Sequence, residues 1–64
     1  MQLGIDIGGT KIEAVVLNEN GDTVYRQRYA TPKESYPRFF QAVITAITDA
    51  REATQSPLTI GLGI

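Results

Sequence analysis

Near the start of the sequence, an aspartate, a glycine pair, a threonine and a lysine fall within one short stretch, Asp6-Ile7-Gly8-Gly9-Thr10-Lys11. Adjacent glycines carry no Cβ atoms, so an anion can approach their backbone N–H groups closely. Thr10 adds a hydroxyl donor and Lys11 a cationic one. Asp6 supplies a carboxylate that can hold a divalent cation through water, as a bound nucleotide requires. The chemistry these types suggest is the binding of a metal-bridged phosphate. The bland alternative is an ordinary hairpin turn with a solvated lysine. Gly4 to Lys11 also spells G-x-x-x-x-G-T-K, close to the P-loop pattern with its last two residues exchanged. The P-loop needs lysine before Ser/Thr at the opening of a helix, and here a strand-like segment follows. A dinucleotide fingerprint fails for the same reason.

The elements that must position these residues read as β-β-β-α-β. Leu3, Ile5 and Ile7 alternate with Gln2, Gly4 and Asp6, a period of two that predicts a strand over 1–7. Lys11 to Leu17 is rich in β-branched residues and predicts a second strand. Asn20-Gly21 suits a type I′ turn with positive φ at both central positions. A third strand then runs over 23–30, with Val24, Arg26 and Arg28 on one face and Tyr25, Gln27 and Tyr29 on the other. Thr31-Pro32-Lys33-Glu34 breaks the pattern. Ser35 suits a helix N-cap and Pro37 the first turn. Phe40, Val43, Ile44, Ile47, Ala50 and Thr54 recur at helical spacing, predicting a core-facing stripe on a helix that ends near Thr54, ahead of Ser56-Pro57. Leu58 to Ile64 is apolar and β-like, which suits a strand covered on both faces and parallel to a neighbour. The fold class is α/β: an antiparallel three-stranded meander, one crossover helix and a fourth, parallel strand.

Composition removes several function classes. The 64 residues contain no cysteine and no histidine, so no disulfide framework, thiol nucleophile or thiolate zinc site exists within them. Six basic and seven acidic side chains give a net charge of −1, which offers no basic field for nucleic acid or anionic membrane. No apolar run approaches the ~20 residues of a membrane span, and no secretory pattern follows Met1. A cytoplasmic location is the expectation. Arg26, Arg28 and Lys33 read as a solvated basic face, with an acidic partner as the alternative. Tyr25, Tyr29, Tyr36, Phe39 and Phe40 read as packing or interface residues rather than base-stacking platforms. No spacing argument joins Glu13 to Glu34 as a carboxylate pair. A chain of this size comes out near zero net stability in crude bookkeeping, so it stands as a self-sufficient module only if chains associate, by pairing exposed strand edges or covering the bare sheet face; the larger protein is expected to be a dimer.

The opening Leu3-Gly4-Ile5-Asp6-Ile7-Gly8-Gly9-Thr10-Lys11-Ile12-Glu13 resembles the first phosphate motif of the sugar kinase, hsp70 and actin superfamily, and more narrowly the ROK family of bacterial sugar kinases and repressors. Thr31-Pro32-Lys33 ahead of a helix and Ile60-Gly61-Leu62-Gly63-Ile64 in the next strand follow in that family's order, so the resemblance covers essentially the whole chain. It implies a truncated ribonuclease H-like (actin-like ATPase) domain, with residues 1–64 as a partial N-terminal phosphate-binding subdomain of a larger two-domain kinase. By position, Gly8, Gly9, Thr10 and Lys11 form the turn that grips the ATP phosphates, and Asp6 is the carboxylate on the Mg2+ side. Gly61 and Gly63 match glycines that lead towards the sugar-side loop; close backbone packing within the sheet is their alternative explanation. The implied activity is ATP-dependent phosphorylation of a hexose, fructose first and N-acetylglucosamine as the alternative. A transcriptional regulator of the same family, lacking its DNA-binding segment, is the second class. The family's catalytic aspartate and its histidine- and cysteine-containing motif, with room for structural Zn2+, lie beyond residue 64. No catalytic residue is therefore assigned, and the 64 residues alone are expected to be inactive.

Overall fold

The computed structural model describes residues 1–32 and 36–63. The expected helix cap at Ser35, and with it Lys33, Glu34 and Ile64, lies outside the described residues. Strands β1 (Gln2–Ile7), β2 (Lys11–Leu17) and β3 (Thr23–Ala30) are followed by helix α1 (Tyr36–Thr54) and strand β4 (Thr59–Gly63). They form one sheet in the order β3-β2-β1-β4. The meander is antiparallel, and β4 joins β1 in parallel, as the crossover helix predicts.

Strand alternation divides the sheet into two unlike faces. On one, Leu3, Ile5, Ile12, Ala14 and Val16 are buried beneath α1, with Ile7, Tyr25 and Tyr29 packed around them. On the other stand the alternate residues, among them Gly4, Asp6, Lys11, Glu13, Val15, Arg26 and Arg28, and no described helix covers them. The predicted faces of β3 therefore hold for the tyrosines and arginines.

The helix buries part of the predicted stripe, with Val43, Ile47 and Ala50 facing the core, but is rotated away from the rest of it. Ala46 and Ala50 are its fully buried residues, flanked by Phe39, Ala42, Val43 and Ile47. Phe40 and Ile44 are instead 56% and 53% exposed. Small side chains at i and i+4 let the helix backbone come close to the sheet, so the alanines take the centre. The larger residues to one side are turned out. There Tyr36, Phe39 and Phe40 pack on one another, with ring centroids 5.2 to 6.2 Å apart. The same rotation brings Asp49, expected off or at the edge of the stripe, half into the interior. It accepts a 2.7 Å hydrogen bond from the Tyr29 hydroxyl. Partial burial first, and this bond second, hold the Tyr29 phenol above its ordinary pKa.

Two further expectations are corrected. The β2–β3 connection is not a two-residue type I′ turn. Of its residues only Gly21 has positive φ, at +85°. The loop runs from Asn18 to Asp22, and the Asn18 side chain accepts from the N–H groups of Asn20 and Asp22. This Asx-type closure competes successfully with the tighter turn and leaves an irregularity at Val16/Leu17. Strand β4, expected to be covered on both faces, lies at the sheet edge with Ile60 45% exposed, because α1 packs across β1, β2 and β3. The helix ends where predicted. Gln55 adopts φ of 51°, and its N–H donates to the Arg51 carbonyl at 2.9 Å.

The Tyr29–Asp49 bond joins the helix to the outer strand of the meander. Tyr29→Phe in the protein as encoded in full is expected to cost about 1 kcal/mol in urea denaturation. Ile5→Ala, which empties part of the core, costs about 2–5 kcal/mol. A Tyr29→Phe variant as stable as the wild type means that the bond only replaces one to water.

Candidate functional site

The turn joining β1 to β2 closes with a 2.9 Å bond from the Gly8 N–H to the Lys11 carbonyl. Closure there sets Ile7 opposite Ile12, Asp6 opposite Glu13 and Ile5 opposite Ala14. Ile5, Ile12 and Ala14 go into the core. Asp6 and Glu13 are left side by side on the uncovered face, at the foot of the turn.

The two glycines differ in what they are for. Neither has φ in the left-handed region, so backbone conformation does not demand glycine at either position. A Cβ on Gly8 would stand 3.3 Å from the Lys11 carbonyl oxygen, which the closed turn does not readily admit. A Cβ on Gly9 would meet nothing within 4 Å. The fold accounts for Gly8, and open space for an approaching ligand accounts for Gly9. Among the described residues, the N–H groups of Gly9 and Thr10 have no hydrogen-bond partner. Gly61 and Gly63 also stand clear of other backbone, since the nearest atom to an added Cβ is the Ile5 carbonyl oxygen, 3.9 Å from Gly63. Gly63 lies opposite Asp6 in the parallel pair, so the glycines of β4 border the same face.

A shallow groove beside the turn is lined by Asp6, Gly8, Thr10, Lys11, Glu13 and Arg28. The structure thus brings the predicted Asp6, Gly8, Thr10 and Lys11 together and adds two residues that sequence reasoning set aside. By sequence Glu13 has no spacing partner, and Arg28 reads as a solvated charge with an acidic partner as the alternative; the structure favours that alternative. The two are cross-strand partners, and the Arg28 guanidinium donates to the Glu13 carboxylate at 2.5 Å. That hydrogen bond holds the Glu13 carboxyl below its ordinary pKa; burial opposes it, and the charges of Arg28, Arg26 and Lys11 add to it. The available signal was the register. With turns centred on Gly9-Thr10 and Asn20-Gly21, counting along the strands places Glu13 between Asp6 and Arg28. Thr31, which the sequence gives as a strand breaker and part of the Thr-Pro-Lys segment but assigns no site role, reaches the turn as well. Its hydroxyl donates to the Gly8 carbonyl at 3.0 Å, and its N–H to the Thr10 carbonyl at 3.0 Å.

Open N–H groups, a hydroxyl and an ammonium on one turn, with an exposed carboxylate at its foot, make a site for an anion that carries a cation with it. A βββαβ sheet with one helix packed across the meander belongs to the actin-like ATPase fold. The family model described as "ROK family" matches residues 2–64, and the chain belongs to the ROK family. It is 44% identical over all 64 residues to the N-acetyl-D-glucosamine kinase of Pasteurella multocida (strain Pm70), covering 21% of that protein. It is 39% identical to the N-acetyl-D-glucosamine kinase of Haemophilus influenzae (strain 86-028NP), again covering 21%. Among solved structures it matches a ROK family glucokinase from Streptomyces griseus in complex with glucose and AMPPNP, with a TM-score of 0.74 and 33% identity. That match covers 95% of this chain and 20% of the glucokinase. The chain thus spans about a fifth of the length of these relatives.

Because the Glu13 carboxyl titrates lower in the folded chain than in the unfolded one, the pair adds stability that is fully present above the unfolded carboxylate value. It is lost as pH falls through the lowered folded value. Arg28→Gln is expected to return Glu13 upward to the ordinary carboxylate range, read by 13C-carboxyl titration. A midpoint unchanged in Arg28→Gln would mean that Lys11 and Arg26 suffice without it.

Proposed function

We propose that these 64 residues form part of the nucleotide-phosphate lobe of a larger two-domain, ATP-dependent hexose kinase, which transfers the γ-phosphoryl group of ATP to a sugar hydroxyl. The observation that carries the reading is the open turn at Gly9 and Thr10, with Asp6 exposed at the end of the strand that leads into it. The family membership and the kinase relatives support the same chemistry. Of the hexoses considered from sequence, N-acetylglucosamine is the one that the relatives' names favour over fructose. The glucokinase neighbour puts glucose beside it.

In this reading the N–H groups of Gly9 and Thr10 and the Thr10 hydroxyl hold the terminal phosphates. Lys11 offsets their charge as a compact, flexible cation. Asp6 acts on the metal side. Mg2+ keeps several waters and takes one or two carboxylates together with substrate phosphates, rather than a dedicated protein cage. The donor set fits that habit: Asp6 is exposed at the turn, and the described residues hold no cluster of three or more metal-ligating side chains. Bound there, Mg2+ would offset negative charge on the phosphates as the phosphoryl group transfers. With Glu13 committed to Arg28, Asp6 is the carboxylate left for the metal's water shell. Zn2+ finds no ligand set here, since the 64 residues contain neither cysteine nor histidine. Phosphoryl transfer needs donor, metal and nucleophile positioned together. The residues assigned here serve the donor side alone, and the 64 residues alone are expected to be inactive.

The test is a coupled assay of the protein as encoded in full, with ATP against N-acetylglucosamine, glucose and fructose. Turnover of at least one hexose is expected, with N-acetylglucosamine giving the highest kcat/KM. Absence of turnover with all three would overturn the kinase reading, and a preference for fructose would overturn the choice of sugar. Asp6→Asn is expected to weaken the apparent Mg2+ requirement constant by about 10–100-fold, the usual cost of losing a group that acts on a metal through its outer shell. Gly9→Ala should melt like the wild type yet raise KM for ATP. An unchanged KM in Gly9→Ala would remove the turn from the phosphate site.

A further inference from the structure

The glycine pair that opens the turn also leaves one of its peptide planes weakly determined. With no Cβ on either side, the plane between Gly8 and Gly9 can rotate at little steric cost, and its N–H can face either way. A site that binds an anion through that N–H needs the orientation chosen beforehand, because each donor left to find its direction costs binding energy. The closing bond of the turn does not choose it, since that bond uses the N–H of Gly8 and the carbonyl of Lys11.

Thr31 supplies the choice from outside the turn. The described peptide bonds are all trans. In a planar trans peptide, the carbonyl of one residue and the N–H of the next point in opposite directions. Holding the Gly8 carbonyl to the Thr31 hydroxyl at 3.0 Å therefore turns the Gly9 N–H away from Thr31. Holding the Thr10 carbonyl to the Thr31 N–H at 3.0 Å fixes the plane on the other side of Thr10 in the same manner. Thr31 is itself constrained. Pro32 disfavours helical backbone for the residue before it, and a β-branched side chain has few χ1 positions open to it. A Thr-Pro step at the end of β3 thus presents a hydroxyl and an N–H together, each to a different carbonyl of the turn.

We propose that Thr31 is a positioning residue for ATP: its hydroxyl holds the Gly8–Gly9 peptide in the orientation that offers the Gly9 N–H to a phosphate. This rests on the kinase reading above. Thr31 does not touch the nucleotide; it acts through the turn. Its backbone bond survives any substitution other than proline, so the hydroxyl can be tested alone.

The experiment compares wild type, Thr31→Val and Thr31→Ser in the protein as encoded in full. Valine keeps the shape and β-branching and removes only the donor. Thr31→Val is expected to lower kcat/KM for ATP about tenfold, as loss of one oriented charge-assisted hydrogen bond does. KM for the sugar should stay within about twofold and the melting temperature should hold. Thr31→Ser should restore kcat/KM for ATP. A second readout needs no turnover. In protein labelled with 15N-glycine, the Gly9 amide should shift on titration with Mg-ATP in the wild type and in Thr31→Ser, and require about tenfold more nucleotide in Thr31→Val. An unchanged ATP dependence in Thr31→Val overturns the proposal. So does a parallel loss of ATP dependence, sugar dependence and melting temperature that serine does not repair. If the wild type turns over no hexose, the kinase reading falls, and the amide titration still decides the role of Thr31 in binding phosphate.

Discussion

The closure of the first hairpin at Gly8 and Lys11 is the constraint on which the other features depend. Strand side chains alternate with a period of two, so moving that closure by one residue would exchange the two faces of β1 relative to β2. Leu3 and Ile5 would lose Val16 and Ala14 as same-face partners, and Asp6 would lose Glu13. Two outcomes with no chemical kinship, a dry interior and a polar site, are thus fixed by one turn. The bulk of the interior makes the register costly to change, because Leu3, Ile5, Ile12 and Val16 are all fully buried by it. Hydrophobic burial in this way holds the site residues in place without touching them.

Separation of the faces also keeps the electrostatics simple. No charged or polar residue is fully buried among the described residues. The charges that matter lie on the uncovered face, where Arg28 crosses from the neighbouring strand to Glu13. Two carboxylates on adjacent strands would repel one another and any approaching phosphate. Pairing one of them leaves Asp6 as the negative group at the turn, with Lys11 and Arg28 on the other side of the balance. The arrangement suits an anion that brings its own cation. It would serve a bare anion less well.

Much of this was legible in the residues. The alternation of Leu3, Ile5 and Ile7 and the valine-rich run after Lys11 fix the strands, and Thr54 followed by Ser56-Pro57 ends the helix, because each signal is local. The turn residues suggested phosphate chemistry through their types, and the structure gathers Asp6, Gly8, Thr10 and Lys11 around one groove. Rotation of the helix was not legible, because size misled: Phe40 and Ile44 outweigh Ala46 and Ala50 as hydrophobes, but closeness of approach decides the packing, and the small residues permit it. Thr31 was missed for another reason. Its partners are carbonyl oxygens of residues far away in sequence, and no side-chain pattern advertises a bond to backbone. Glu13 and Arg28 fall between these cases. Their pairing follows from register once both turns are placed, although Asn18 closes the second turn differently from the way Asn20-Gly21 suggests.

The two borders of the sheet are unlike, and that gives it a direction of growth. Along β3, Arg26 and Arg28 place charge beside the unpaired backbone, which discourages another strand from docking there. Along β4, the Thr59–Gly63 segment carries no charge, two glycines and an exposed Ile60, and its outer hydrogen-bonding groups have no strand beside them among the described residues. A strand added to this sheet therefore joins at β4, extending it away from the meander. The Gly8-Gly9 turn, built between β1 and β2, keeps its place while the sheet widens on the far side of β4.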